Sequence, residues 1–330
     1  MYRVRHRLRF LLLELVSLAV AFLPAGARTI FGEAPVIKKQ VPGYYRLMLG
    51  KLEVTALFDG SLDIDKNVLY GVTKEEINRL LAQRFIAGSK IPTSVNAYLV
   101  NFGNKLVLID AGSGTAFGPT LGRLIANLKA SGYEPAQVDA VLVTHLHGDH
   151  MGGLLDPSGR PTFVNATVYV PKADHDLWVK TVQTSESDNS KQKPGNNLAS
   201  RIAASYEALE CWKTFTPGQS PLPGIKTINI AGHTPGHAAF QIESEGQIML
   251  FWGDLVHNMA VQLARSEVAV RYDANQRAAV SARQKLLKKL AVEKTLIAGA
   301  HMPFPGIGRI RENGSNGYIW VPVVFMPMAQ

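Results

Sequence analysis

The chain has 330 residues, 46% of them hydrophobic and 18% charged, with a formal net charge of +9. That balance is globular and excludes a disordered tail protein, a collagen-like fibre and a coiled coil. The single cysteine, Cys211, excludes an intrachain disulfide framework, a Cys-rich zinc ribbon and an iron–sulfur site. Any metal must therefore be held by histidines and carboxylates.

The first 27 residues read as a secretory signal. Arg3, Arg5, Arg7 and Arg9 precede an apolar run over residues 10–23, and Ala25-Gly26-Ala27 offers small residues for cleavage after Ala27. The run is shorter than a bilayer span needs. The expectation is a periplasmic or secreted protein with no stable membrane insertion after processing. An uncleaved anchor is the alternative, with Glu14 inside the run. Residues 28–43 form an extension and residues 44–330 one domain. The positive excess that remains is modest. Its densest stretch, 285–289, falls in a helical pattern over 279–291, where a solvated face explains it and no nucleic-acid partner is implied.

Strands and helices then alternate. Residues 52–58 alternate as a strand that ends at Asp59-Gly60. Residues 95–101 and 105–109 form a hairpin around Phe102-Gly103-Asn104. Residues 121–130 have helical spacing and stop at Gly132. Residues 138–143 make a short buried strand, and 167–170 another, followed by a helix with Trp178. The polar stretch 184–197 is predicted as a loop, either a lid or disordered, and 198–212 as a helix. After Pro221 come a strand at 225–230, a hairpin of 239–243 with 248–251 around Glu245-Gly246, a helix from Asn275, and strands at 295–298 and 318–324. The halves share a strand–hairpin–helix–strand rhythm, which suits two packed sheets with helices outside.

The chemistry concentrates at Thr144-His145-Leu146-His147-Gly148-Asp149-His150. His145 and His147 alternate with Leu146, so both imidazoles can point one way, and Gly148 permits a bend before Asp149 and His150. A lone histidine is an ordinary core or polar residue. Three with an aspartate, just past a buried strand, are costly to bury without a partner, and a metal is such a partner. Further on, Gly232-His233-Thr234-Pro235-Gly236-His237, Phe251-Trp252-Gly253-Asp254 and Ala300-His301 each follow a predicted strand. His237 reads as a structural residue or as one holding a ligand by hydrogen bond. His257, three after Asp254, reads as facing the pocket, His175 as solvated at a charged helix start, and Cys211 as a small buried hydrophobe.

The H-x-H-x-D-H cluster, the later HTPGH, the strand-terminal Gly-Asp and the last histidine resemble the signature of the metallo-β-lactamase-fold hydrolases, over residues 44–330. Phe117-Gly118-Pro119-Thr120-Leu121-Gly122, the stretch Ala300-His301-Met302-Pro303-Phe304-Pro305-Gly306-Ile307-Gly308, and Val41-Pro42-Gly43-Tyr44-Tyr45-Arg46 resemble methyl parathion hydrolase and its lactonase and arylesterase relatives. The resemblance implies an α/β fold, an αββα sandwich of two similar halves. It implies two divalent metal ions, zinc foremost. His145, His147 and His233 would hold one, Asp149, His150 and His301 the other, and Asp254 would bridge them. It implies a bridging hydroxide attacking a carbonyl carbon or phosphorus, with Asp149 orienting it. Phe117 and Trp178 fall at aromatic pocket positions of that subgroup, and His257 and Tyr272 stand where methyl parathion hydrolase has aliphatic residues.

The implied partner is a small-molecule ester or lactone, and a homodimer is one option for the assembly. Three readings compete: a lactonase or arylesterase, an organophosphate triesterase, and a non-catalytic binding protein. Seven intact ligand positions count against the last. A mononuclear iron dioxygenase would not need Asp149, His150 and His301. A β-lactamase with a cysteine ligand would want Cys where Asp254 stands, and a tRNA-processing nuclease would be expected to show a larger basic arm and no export signal.

Overall fold

The computed structural model describes residues 34–180, 194–314 and 317–328. The predicted signal segment 1–27 and residues 184–193 of the predicted loop lie outside them. The chain divides between Val41 and Pro42 into two units, and the second holds everything described below.

Among the described residues, one sheet takes in order Tyr44–Leu49, Leu52–Asp65, Lys90–Asn101, Leu106–Ile109, Ala140–Leu142, Thr167–Pro171 and Trp212–Phe215. Its pairings are antiparallel as far as Leu106–Ile109 and parallel beyond. A second large sheet takes Gly317–Pro322, Ile307–Asn313, Leu296–Ala298, Gln247–Phe251, Ala238–Ser244 and Ile225–Asn229, with Gln247–Phe251 and Leu296–Ala298 parallel, and Leu69–Tyr70 pairs with Ala269–Val270 in a small third one. Val54, Tyr98, Ile109 and Leu142 of the first sheet pack with Phe240, Ile242, Met249 and Phe251 of the second. The helices Leu124–Ala130 and Pro194–Glu207 cover the first sheet's outer face through Leu124, Leu128, Ile202 and Tyr206. Gln276–Glu293 covers the second through Leu286, Leu287 and Leu290. This is the expected αββα sandwich. Leu106–Ile109 is buried at every position because both its faces are covered, which is why it reads as an unbroken apolar run.

Local chemistry sets the boundaries. Asn275 caps the long helix by accepting from Ala278 N at 3.1 Å. The helix ends at Lys294, which takes the left-handed conformation. The basic run 285–289 is exposed at Lys285, Lys288 and Lys289, as expected of a solvated face.

Several expected boundaries are corrected. The strand at 52–58 does not end at Asp59-Gly60 but continues to Asp65 through a bulge between Phe58 and Gly60. Gly60 sits at φ +145°, where an added Cβ would lie 2.1 Å from Thr120 O, so the dipeptide serves close approach, not chain reversal. The helix predicted at 198–212 runs instead over Pro194–Glu207, so residues 194–197 belong to a helix and not to the loop. Glu210 takes positive φ, and Trp212–Phe215 then pairs in parallel with Thr167–Pro171. The last strand stops at Pro322. The strands Tyr44–Leu49 and Ile307–Asn313 and the helix Lys74–Ala82 were not anticipated. No described helix is long and apolar enough to cross a membrane.

Candidate metal centre

Each candidate ligand follows the carboxyl end of a strand. His145, His147, Asp149 and His150 follow Ala140–Leu142, His233 follows Ile225–Asn229, Asp254 follows Gln247–Phe251 and His301 follows Leu296–Ala298. The two sheets thereby bring seven side chains from four separate segments together at one end of the sandwich.

They form two groups: His145, His147, His233 and Asp254, and Asp149, His150 and His301. In the first, His147 Nδ1 lies 3.1 Å from His145 Nε2 and 3.0 Å from His233 Nε2. Asp254 reaches both groups. Its Oδ2 is 3.2 Å from His233 Nε2 and 3.6 Å from His145 Nε2. Its Oδ1 is 2.9 Å from His150 Nε2 and 3.1 Å from His301 Nε2. Asp149 Oδ2 stands 3.5 Å from His301 Nε2 and 3.7 Å from His150 Nε2.

The far side of each ring decides what the near side offers. His150 Nδ1 donates to Asp110 Oδ2 at 2.8 Å, His233 Nδ1 to Asp273 Oδ1 at 2.9 Å, and His301 Nδ1 to Ser94 O at 2.9 Å. Those partners only accept, so each Nδ1 carries its hydrogen and each ring, once neutral, turns an Nε2 lone pair inward. His145 Nδ1 is matched to Thr144 Oγ1 at 3.1 Å. The Thr144 hydroxyl also lies 3.0 Å from Asp110 Oδ2. Three ring nitrogens meeting at about 3 Å can share a hydrogen bond in only one pair at a time, whereas a cation between them satisfies all three. His150 Nε2 and Asp254 Oδ1 are buried, close and yet without a hydrogen bond. The donor set fits divalent metal.

Electrostatics agree with a shared anion among imidazoles. Burial pushes the Asp254 carboxyl up, but His150, His301, His145 and His257 outweigh it and hold it well below the usual range. Burial lowers His233, yet Asp254 and Asp273 push it up to about 9. His147 is pulled down to about 3 by burial and by His233.

Four supports lie outside the residues singled out from the sequence. Asp110 takes a left-handed backbone conformation, φ 59°, and accepts from Thr144 N at 2.8 Å. Asp174 is fully buried and ties two ligand loops together. It accepts from Leu146 N at 3.1 Å, Thr234 Oγ1 at 2.7 Å and Gly236 N at 2.6 Å. Asp273 orients His233. Asn96, on the first sheet, donates to Gly299 O at 3.2 Å and Met302 O at 2.7 Å, fixing the turn that carries His301. His237 Nε2 accepts from Asp254 N at 3.1 Å, so it holds the backbone of the shared carboxylate.

The expected pocket residues gather around the cluster. Trp178 lies 5.6 Å from His147, ring to ring. The Phe117 ring abuts Gly148, where an added Cβ would meet it at 2.9 Å. His257 is buried, stacks on His301 at 5.5 Å and places Nε2 3.1 Å from Asp254 Oδ2. Tyr272 lies 6.0 Å from His257 and is 40% exposed. Two expectations fail. His175 is buried, not solvated, and its Nδ1 accepts from Trp212 Nε1 at 3.2 Å. Cys211 is only partly buried, against the first sheet's outer core.

Fold and site together define a class. Residues 91–301, a span that holds all seven clustered side chains, match the model of the Metallo-beta-lactamase superfamily, and the chain belongs to that family of metal-dependent hydrolases. The crystal structure of hydrolase AbOPH in the beta lactamase superfamily is 38% identical with a TM-score of 0.82, covering 88% of this chain and 100% of that one. AidC, described as a dizinc quorum-quenching lactonase, shares the fold at 24% identity and a TM-score of 0.76, covering 86% and 99%. An N-acyl homoserine lactonase of Bacillus sp is 29% identical over 39% of this chain and 43% of its own length. A hydroxyacylglutathione hydrolase of Aeromonas hydrophila is 28% identical over 48% and 44%. The chain thus spans less than half the length of these curated relatives.

Proposed function

We propose that the protein hydrolyses the carbonyl of a lactone or aryl ester at a centre of two divalent ions, zinc foremost. The observation that carries this reading is the division of Asp254, Oδ1 toward His150 and His301 and Oδ2 toward His233 and His145. His145, His147 and His233 would hold one ion, Asp149, His150 and His301 the other, and Asp254 both. Imidazole and carboxylate suit zinc, and after it manganese, iron or cobalt. When bound, such ions supply Lewis acidity and lower the pKa of water toward neutrality.

The chain's own residues do the rest. The Asp149 carboxylate, 16% exposed, would orient the attacking water, take up its proton at an oxygen as the new bond to the carbonyl carbon forms, and return it to the leaving alcohol or phenol oxygen as the acyl C–O bond breaks. The Tyr272 phenol, beside His257 and protonated at neutral pH, would be a donor to a substrate oxygen. Phe117 and Trp178 provide apolar walls for an acyl or aryl group. The lactonase of Bacillus sp supports a lactone as substrate. The Arg-rich start and Ala25-Gly26-Ala27 support export, which N-terminal sequencing from a periplasmic fraction tests by finding Arg28 first.

The deciding experiment is a hydrolysis panel of lactones, aryl esters and phosphotriesters on metal-loaded protein. Turnover of the first two classes, lost on chelation and restored by zinc, is the expected result. Preference for the phosphotriester would replace this reading with the organophosphate one, and no turnover of any class would remove it.

A further inference from the structure

Arg283 lies in the middle of the Gln276–Glu293 helix and is 1% exposed, among the largest fully buried side chains of the described residues. Its Nε donates to Ser266 O at 3.2 Å, while its Nη2 is buried with no hydrogen-bond partner. Burial pulls its pKa down to about 10 against Asp273 and then Glu267, the carboxylates that stabilise it, and it forms no direct ion pair with either among the described residues. A buried guanidinium with one acceptor is costly, and an aliphatic side chain of similar volume beside Leu286 and Leu287 would avoid the cost. The reason for a cation must be sought in what it faces.

It faces a cavity of about 10 Å³ behind the metal centre, lined by His233, His237, Asp254 and Asp273 as well as by Arg283 itself. Every lining residue is buried. One water needs roughly 10–15 Å³ and two or more polar partners. Arg283 Nη2 is an unspent donor. The Asp273 oxygens each take one hydrogen bond, from His233 Nδ1 and Val270 N, and each retains a second lone pair. The surrounding frame is closely packed. The helix runs so close to the His233 turn that a Cβ on Gly232 would lie 2.2 Å from Ala279 N. Ala274 N donates to His233 O at 3.0 Å and Asn275 N to Gly232 O at 2.9 Å.

We propose that Arg283 is a positioning residue of the metal centre, acting from behind it through one structural water that its Nη2 holds against the Asp273 carboxylate. The water fixes Asp273, Asp273 fixes the His233 ring, and the ring aims Nε2 at the ion. The inference rests on the reading of His233 as a metal ligand.

The test is zinc affinity by competition with a chelator, alongside thermal unfolding of metal-stripped protein. Arg283→Met removes donor and charge at similar volume. It should weaken zinc binding about 10-fold, the loss typical of supports behind a ligand, while leaving the metal-free unfolding temperature unchanged or higher. Arg283→Lys should recover most of the affinity. In an Asp273→Asn background, Arg283→Met should have no further effect on zinc. A core-filling role gives the reverse, a lower unfolding temperature at unchanged zinc affinity, and overturns the proposal. A crystal structure of the wild-type protein serves if Arg283→Met does not fold: an ordered water bonded to Arg283 Nη2 and Asp273 supports the proposal, and its absence at high resolution overturns it. Wild-type protein that binds no zinc would instead defeat the metal reading itself.

Discussion

Asp110 Oδ2 lies 2.8 Å from His150 Nδ1, and the other oxygen of the same carboxylate receives Thr144 N at 2.8 Å. One side chain therefore sets both the tautomer of His150 and the start of the loop that carries His145 and His147. Asp110→Asn should keep the fold, since Asn tolerates positive φ as well as Asp does. An amide cannot accept at both oxygens, so either His150 or Thr144 loses its partner. Zinc affinity should fall by about 10–100-fold, measured by chelator competition. Unchanged affinity would show that the tautomer is fixed elsewhere.

Asp254→Asn should be more severe. Two imidazoles face Oδ1 of that carboxylate and three face Oδ2, and an amide offers one side an acceptor and the other a donor. Metal content should drop below that of the wild type and hydrolysis should be nearly abolished, with the circular dichroism of a folded chain. Full metal content and normal turnover in this variant would sink the shared-carboxylate assignment.

Asn96 tests how the first sheet reaches the last ligand. Its amide holds Gly299 O and Met302 O, on either side of His301. Asn96→Ala leaves the Met302 carbonyl without its side-chain donor, while Gly299 O keeps the Tyr98 hydroxyl at 2.9 Å, and should cost about 1–3 kcal/mol of stability. On the proposed two-ion reading, it should also favour loss of the ion that Asp149, His150 and His301 would hold over the other. Metal stoichiometry after partial chelation would show it, and equal loss from both positions would count against the idea.

Much of the site was legible because its ligands obey one local rule: a His or Asp placed immediately after an apolar strand. Asp110 obeys the same rule after Leu106–Ile109 and could have been read from it. Asp174, Asp273 and Asn96 could not, because their roles depend on which loops meet in space. Asp59 was misread for the same reason. Its carboxylate turns inward to take Ser113 N at 2.9 Å, Gly122 N at 3.1 Å and Leu124 N at 3.2 Å, partners that adjacency to Gly60 does not reveal.

His175 shows the limit from the other side. Charged neighbours made it look solvated, but Trp212 arrives from the edge strand and donates to it. His175→Ala should leave metal content unchanged, since the ring pairs away from the cluster. It should lower stability by about 1–3 kcal/mol, because the half-buried indole N–H loses its acceptor. Thermal unfolding measures this, and an unchanged midpoint would mean water replaces the ring.

The pocket wall offers a test between carbonyl and phosphoryl substrates. His257 is buried against His301 and Asp254, with Tyr272 beside it, so on the proposed reading both side chains would narrow the space next to the metal site. A phosphotriester carries three substituents around a tetrahedral centre, whereas a lactone or aryl ester is flat at its carbonyl. Overpacking costs about 1–3 kcal/mol, and each 1.36 kcal/mol in a barrier is tenfold in rate. An aromatic lactone or aryl ester should therefore be hydrolysed at least about 10-fold more efficiently than a dimethyl aryl phosphotriester. His257→Leu removes a ring and leaves a flexible aliphatic group, so it should raise phosphotriester turnover and narrow that ratio. Kinetics of both substrates on both proteins decide the matter. A wild type that already favours the phosphotriester, or a ratio unmoved by His257→Leu, would show that His257 does not set the shape of the pocket.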